Sequence, residues 1–283
     1  MGVADVVPGV SGGTMAFILG IYDELIEAIH AVNARFLANL LTLKWRTALE
    51  SFPWRFLLSL ALGILSAVLA LANVLHWALE NHPVYIWAFF FGLILASIVA
   101  VRRRVRRWSV VNLLAAIAAA VGAFVLVELS PSETPHTPLL LFLSGAVAIC
   151  AMILPGISGA FILVLLGKYS YILFAVKHFD ILTIALVGLG AVMGLLTFVR
   201  LLRWMLYRNH DLLVAILTGF MIGSLRKVWP WKTVESAGEL LARETNFLPS
   251  AFGAEEFFAM VLMAAGVSLV LMMERFAGFR AAA

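Results

Sequence analysis

Two stretches decide the fold: Asp5-Val-Val-Pro-Gly-Val-Ser-Gly-Gly-Thr14 and Met152-Ile-Leu-Pro-Gly-Ile-Ser-Gly-Ala-Phe161. They align residue for residue, and the match runs on at the same spacing through Leu19-Gly20-x-Tyr22 and Leu166-Gly167-x-Tyr169. Each holds a proline, Pro8 or Pro155, that cannot donate a backbone hydrogen bond and pushes the preceding residue out of helical geometry. Gly9 or Gly156 follows and permits a tight turn, and Ser11 or Ser158 is placed to cap the next helix. Each stretch therefore reads as a helix broken in the middle of an apolar run.

Working outward, the whole chain is apolar. Of its 283 residues, 63% are hydrophobic and 13% charged, against about 45–50% and about 25% in soluble domains. A water-soluble fold of this size could not hide so much apolar surface, so the solvent is lipid. The single cysteine, Cys150, excludes a disulfide framework or a cysteine metal cluster. The net charge of +4 sits beside hydrophobic segments, where it speaks for anionic lipid and topology and against nucleic acid. No cleavable signal peptide is expected from Met1-Gly2-Val3-Ala4-Asp5.

Apolar runs of crossing length, about 20 residues, fall near 56–79, 84–101, 109–129, 181–206, 211–225 and 257–273. The runs 1–29 and 139–176 carry the breaks and read as re-entrant hairpins. Segment 31–55, with Arg35, Lys44, Trp45, Arg46 and Trp54 among leucines, reads as a helix lying in the interface. Segment 230–256 reads as an extramembrane loop. If the hairpins leave on the side they entered, six spans gather Arg35, Lys44, Arg46, Arg55, the run Arg102 to Arg107, Arg200, Arg203, Arg208, Arg275 and Arg280 on one side. That is 14 of the 20 basic residues, and the positive-inside rule makes that side cytoplasmic, with both termini.

Gly63, Trp77, Gly92 and Ser97 match Gly190, Trp204, Gly219 and Ser224 at a second constant spacing. The chain thus divides into two units, 1–129 and 130–283, each a hairpin followed by three spans. Three crossings reverse direction, so the second hairpin enters from the opposite face. The expected fold is an all-α membrane protein with an inverted repeat, which places a substrate site near the midplane where broken helices meet. The first hairpin has only residues 1–7 before its turn where the second has 139–154, so its beginning reads as truncated or shorter.

A helix that starts at such a turn offers unpaired N–H groups and a positive dipole end, which favour an anion. Irregular backbone at membrane depth also demands protein or a polar cavity around it. The candidate substrate-binding residues are therefore Ser11, Gly12, Gly13, Thr14, Ser158 and Gly159. Lys168 inside the second hairpin, and Arg200 with Arg203 on one face late in a span, are further phosphate candidates. Asp5, beside the first turn, is a candidate for handling a coupling proton or orienting the cradle, against the plain reading of a solvated carboxylate near the start of the sequence. The bland alternatives are packing kinks, snorkelling for Lys168 and positive-inside anchoring for the arginines. Arg102 to Arg107 read as a topology anchor, Tyr22 and Tyr169 as interfacial anchors, and Asp23, Glu24 and Glu27 as a solvated hairpin end.

The stretch Gly2-Val-Ala-Asp-Val-Val-Pro-Gly-Val-Ser-Gly-Gly-Thr-Met-Ala-Phe-Ile-Leu-Gly-Ile-Tyr-Asp-Glu-Leu-Ile26 resembles the opening of the polyprenyl-phosphate (undecaprenyl-phosphate) transporter family of bacteria and archaea, formerly a domain of unknown function. The similarity covers essentially the whole chain, and family members usually carry further residues ahead of this motif. The resemblance implies a protein of the bacterial cytoplasmic membrane. Its implied task is to return undecaprenyl phosphate, the lipid carrier of cell-wall precursors, to the inner leaflet, in one reading with a proton or sodium gradient.

An enzyme is the distant alternative. Gly9-Val-Ser11-Gly-Gly13 fits G-x-S-x-G, but that elbow needs a preceding strand. The histidines at 30, 76, 82, 136, 178 and 210 lie at span ends or in loops, and no H-E-x-x-H is present. No cofactor and no metal are expected. A carrier of small anions is the nearer rival, since it shares the logic of the broken helices.

Overall fold

The computed structural model describes residues 1–2, 11–32, 36, 39, 42, 44, 52–129, 134–236 and 242–281. Backbone groups in lipid can bond only to one another, so apolar runs become helices. In chain order they are α1 (Gly12–Ile18), α2 (Tyr22–His30), α3 (Trp54–Asn81), α4 (Pro83–Arg102), α5 (Val110–Glu128), α6 (Pro138–Ile153), α7 (Gly159–Leu165), α8 (Tyr169–Lys177), α9 (Ile181–Arg208), α10 (His210–Ser224) and α11 (Ala254–Ala281). Five of them, α3, α4, α5, α9 and α11, contain stretches long and apolar enough to cross a bilayer, and a sixth is gained if the bent pair α7 and α8 counts as one span.

Local chemistry sets the boundaries. Pro83 and Pro138 occupy the first turns of α4 and α6, where the missing N–H costs nothing. Ser109 caps α5 through the Asn112 N–H at 3.2 Å, and Asp180 caps α9 through the Thr183 N–H at 3.3 Å. Between α1 and α2, Gly20 adopts φ +71°, and between α7 and α8, Gly167 adopts φ +65°. Around them Ile21 N–H donates to Ala16 at 3.0 Å and Lys168 N–H donates to Leu163 at 2.8 Å. These are the same left-handed helix stop made twice. The second turns the chain by 106° between α7 and α8.

Helix lengths recur with the sequence match. α1 and α7 have seven residues each, α2 and α8 nine each, and α3 and α9 twenty-eight each. The long helices pack in pairs: α10 runs along α5, α11 along α4, and α9 along α6. Small residues allow the approach, because a Cβ on Gly219 would meet the Ala116 carbonyl, and one on Gly92 the Met263 carbonyl. The buried core draws Phe17, Tyr22 and Ile26 from α1 and α2, Ile94 and Val101 from α4, Val199 from α9, and Leu217 and Met221 from α10. Leucines and Trp77 along α3, and valines and leucines along α5, stand exposed, as lipid-facing positions do.

Some expectations change. The run 211–225 gives α10, which stops at Ser224 after fifteen residues, short of the length needed to cross. The chain turns there, with the Lys227 N–H donating to the Ser224 carbonyl at 2.9 Å. Segment 230–256 holds the antiparallel strands β1 (Lys232–Ser236) and β2 (Ala242–Asn246), paired Lys232 to Asn246 and Ser236 to Ala242. Segment 31–55, expected as an interfacial helix, falls mostly outside the described residues.

Candidate functional site

The C-terminal carbonyls of a helix lack intrahelical partners, and α6 ends inside the protein at the second Pro-Gly turn. The Ser11 hydroxyl lies 3.0 Å from the Met152 carbonyl and 3.1 Å from that of Leu154, as donor, and accepts the Gly13 N–H at 3.1 Å. The Gly156 N–H donates to the Thr14 hydroxyl at 3.1 Å. Side chains of the first stretch thus satisfy the backbone of the second, at positions shut off from solvent: Ser11 is 2% exposed and Thr14 0%. The contact is backbone-tight, because a Cβ on Gly13 would run into the Ile153 carbonyl.

Electrostatically the donor end of α1 faces the acceptor end of α6, so opposite helix dipole ends oppose each other. In this conformation the first turn is complemented from within. The second differs: Ser158 is half-buried, and its side chain makes no cap hydrogen bond. Gly156, at φ +91°, lies against Ser224 and Met221 of α10. Pro155, Gly156 and Gly159 are buried, as are Gly12 and Gly13. Ser11, Gly12, Gly13, Thr14, Pro155 and Gly156 are therefore brought together. Asp5, Pro8 and Gly9 lie outside the described residues.

The basic candidates part company. Lys168 is 1% exposed, and its ammonium donates to the carbonyls of Thr134 and of Pro135 (2.7 Å) and to His136 Nδ1 (3.1 Å). His136 in turn stacks on Tyr171 with ring centroids 4.0 Å apart. All three ammonium donors are spent on this strap, at the end of α7 away from Ser158. Arg200 and Arg203 line a cleft of about 610 Å³ with His30, Trp204, Tyr207 and Arg208.

Glu27, expected to be solvated, reaches that cleft. Arg203 Nε donates to its two carboxylate oxygens at 2.8 and 3.0 Å, and the Tyr207 hydroxyl donates at 2.8 Å. Burial alone would raise the Glu27 carboxyl, but these hydrogen bonds outweigh it and hold the group below the usual carboxylate range. Burial, then the Arg203 charge, holds the His30 imidazole low. Arg104, read as part of a topology anchor, donates from Nη2 to the Phe17 carbonyl at 3.0 Å and so secures the end of α1. Tyr22 is no interfacial anchor: it is 1% exposed, with its ring 4.0 Å from that of Phe17. Glu27, Tyr207 and Arg104 were beyond sequence reasoning, because their partners are far away in the chain. Among the described residues, no three His, Cys, Asp or Glu side chains come together to hold a metal.

Span-length apolar helices around a buried contact between the start of α1 and the end of α6 define a multi-pass membrane protein. The chain belongs to the undecaprenyl phosphate translocase-like family, whose model matches residues 1–243. It is 43% identical to a polyprenyl-phosphate transporter of Vibrio cholerae over 291 aligned positions, covering 98% of this chain and 94% of that one. It is 30% identical to a polyprenyl-phosphate transporter of Staphylococcus aureus over 250 positions, covering 81% of this chain and 83% of that one. No solved structure matches it.

Proposed function

We propose that this protein carries polyprenyl phosphate across the cytoplasmic membrane, returning the lipid carrier to the inner leaflet for envelope synthesis, with no chemical step of its own. The observation that carries the reading is the contact between the two Pro-Gly-x-Ser-Gly turns through Ser11, Thr14 and Gly156. An interior that holds two helix starts with small, hydroxyl-bearing residues suits a phosphate, and the relatives' names supply the prenyl tail. In this reading Ser158 and Gly159 meet the head group while the first turn, Ser11 to Thr14, is closed on α6. The first turn takes its share when the two separate.

The same proposal treats the chain as an inverted repeat of two units, 1–129 and 130–283, each a re-entrant hairpin and three spans, with both termini cytoplasmic. The matched lengths of α1 and α7, α2 and α8, and α3 and α9 support it. Opposed entry lets one turn open to each face in alternation. Arg200 and Arg203 receive the phosphate at the cytoplasmic end, and Asp5 handles a proton if a gradient is used.

The test is leaflet exchange of a labelled short-chain polyprenyl phosphate in liposomes containing the protein. Fast exchange that Ser11→Ala/Ser158→Ala abolishes supports the reading. No exchange, with or without a proton or sodium gradient, defeats it and leaves a small-anion carrier. Asp5→Asn tests the coupling: an unchanged pH dependence removes the proton role.

A further inference from the structure

The cleft at the C-terminal end of α9 has an excess of positive charge. Three arginines line it, and Glu27 reaches in, bound among the described residues to Arg203 and Tyr207. Arg200 and Arg208 make no ion pair among the described residues. His30 adds a spare donor: its Nε2 lies 3.2 Å from Arg203 Nη1, which can only donate, so the ring proton sits on Nδ1. That nitrogen is buried and has no partner among the described residues. Leu201 and Trp204, 48% and 56% exposed on the same helix, offer an apolar surface beside the charges.

We propose that this cleft docks a phosphate monoester, and that Glu27 is a built-in stand-in for it which the phosphate displaces from Arg203. The inference rests on the reading that the protein handles polyprenyl phosphate. A guanidinium presents the same planar donors to carboxylate and to phosphate, so the two compete for one fork. The doubly charged phosphate gains from Arg200 and Arg208 as well, which Glu27 does not reach. Displacement has a mechanical result, because the Glu27–Arg203 pair ties α2 to α9. A head group arriving in the cleft unties the helix that follows the first turn.

The test is titration of the full-length, detergent-solubilised protein with geranyl phosphate, a water-soluble phosphate monoester, against geraniol and inorganic phosphate. Glu27→Gln should bind geranyl phosphate roughly two- to fivefold tighter than wild type, the range an ion pair this exposed can withhold. Tyr207→Phe should move the same way by less, and Arg203→Ala should weaken binding by about tenfold or more. A merely structural ion pair gives the opposite sign for Glu27→Gln, so binding no tighter than wild type overturns the proposal. Inorganic phosphate binding as tightly as geranyl phosphate overturns the lipid assignment and gives the cleft to free phosphate.

Amide exchange across residues 22–30 should quicken when geranyl phosphate binds, and Glu27→Gln should be fast without it. Protection of that segment on binding overturns the release of α2. Liposome exchange is a separate readout: a wild type that binds geranyl phosphate as described but moves no polyprenyl phosphate defeats the transport reading and leaves the displacement standing.

Discussion

The Gly156 amide donates to the Thr14 hydroxyl at 3.1 Å across 142 residues of chain. This bond couples one broken stretch to the other through a side chain with no exposed surface. Thr14→Val keeps the shape and removes the acceptor, leaving a buried N–H without a partner. Thermal unfolding in detergent should register a loss of about 1–3 kcal/mol, and Thr14→Ser should recover most of it.

The two cap serines should separate. Ser11→Ala removes a helix cap and the donor to the Met152 and Leu154 carbonyls, at a cost of about 1–2 kcal/mol. Ser158 makes no cap bond, so Ser158→Ala should leave the melting temperature unchanged while slowing leaflet exchange. Equal melting losses would show that the two turns are equivalent in solution.

Close approach at the turns is testable with one methyl group. Gly13→Ala must push the first turn off the Ile153 carbonyl, so both stability and exchange should fall. Gly122 in α5 has open space where a Cβ would go. Gly122→Ala should therefore stabilise the protein, by about 0.5–1 kcal/mol, through helix propensity alone.

Lys168→Met removes the ammonium from the Thr134, Pro135 and His136 strap. Losing these partners should cost about 1–3 kcal/mol and speed proteolysis near residue 134, with head-group binding intact. A variant with wild-type stability and weakened phosphate binding would return Lys168 to the role its position in the sequence suggested.

The breaks were legible because proline and glycine act locally: Pro155 with Gly156 and the repeated Leu-Gly-x-Tyr announce helix stops whatever surrounds them. The long spans were legible because lipid demands length and apolarity. The fate of charges was not. Glu27 looks like any acidic residue after a turn, and its meeting with Arg203 depends on how α2 lies against α9. Tyr22 and Tyr169 occupy matched positions, yet the first is buried against Phe17 and the second is 39% exposed. The pattern that matched them carries no information about which neighbours each would meet. The strands Lys232–Ser236 and Ala242–Asn246 were missed because a glutamate-rich segment without alternating apolar residues gives no strand signal.

The packing of α11 on α4 also orders events at the ribosome. α4 is threaded into the membrane early, and the partner for its Gly92 face, around Met263, lies in α11, which is made much later. This pair thus closes only once α11 has been made. A stop codon anywhere before α11 leaves α4 with a bare groove of small residues in lipid, a surface by which quality-control proteases can tell an unfinished chain from a finished one.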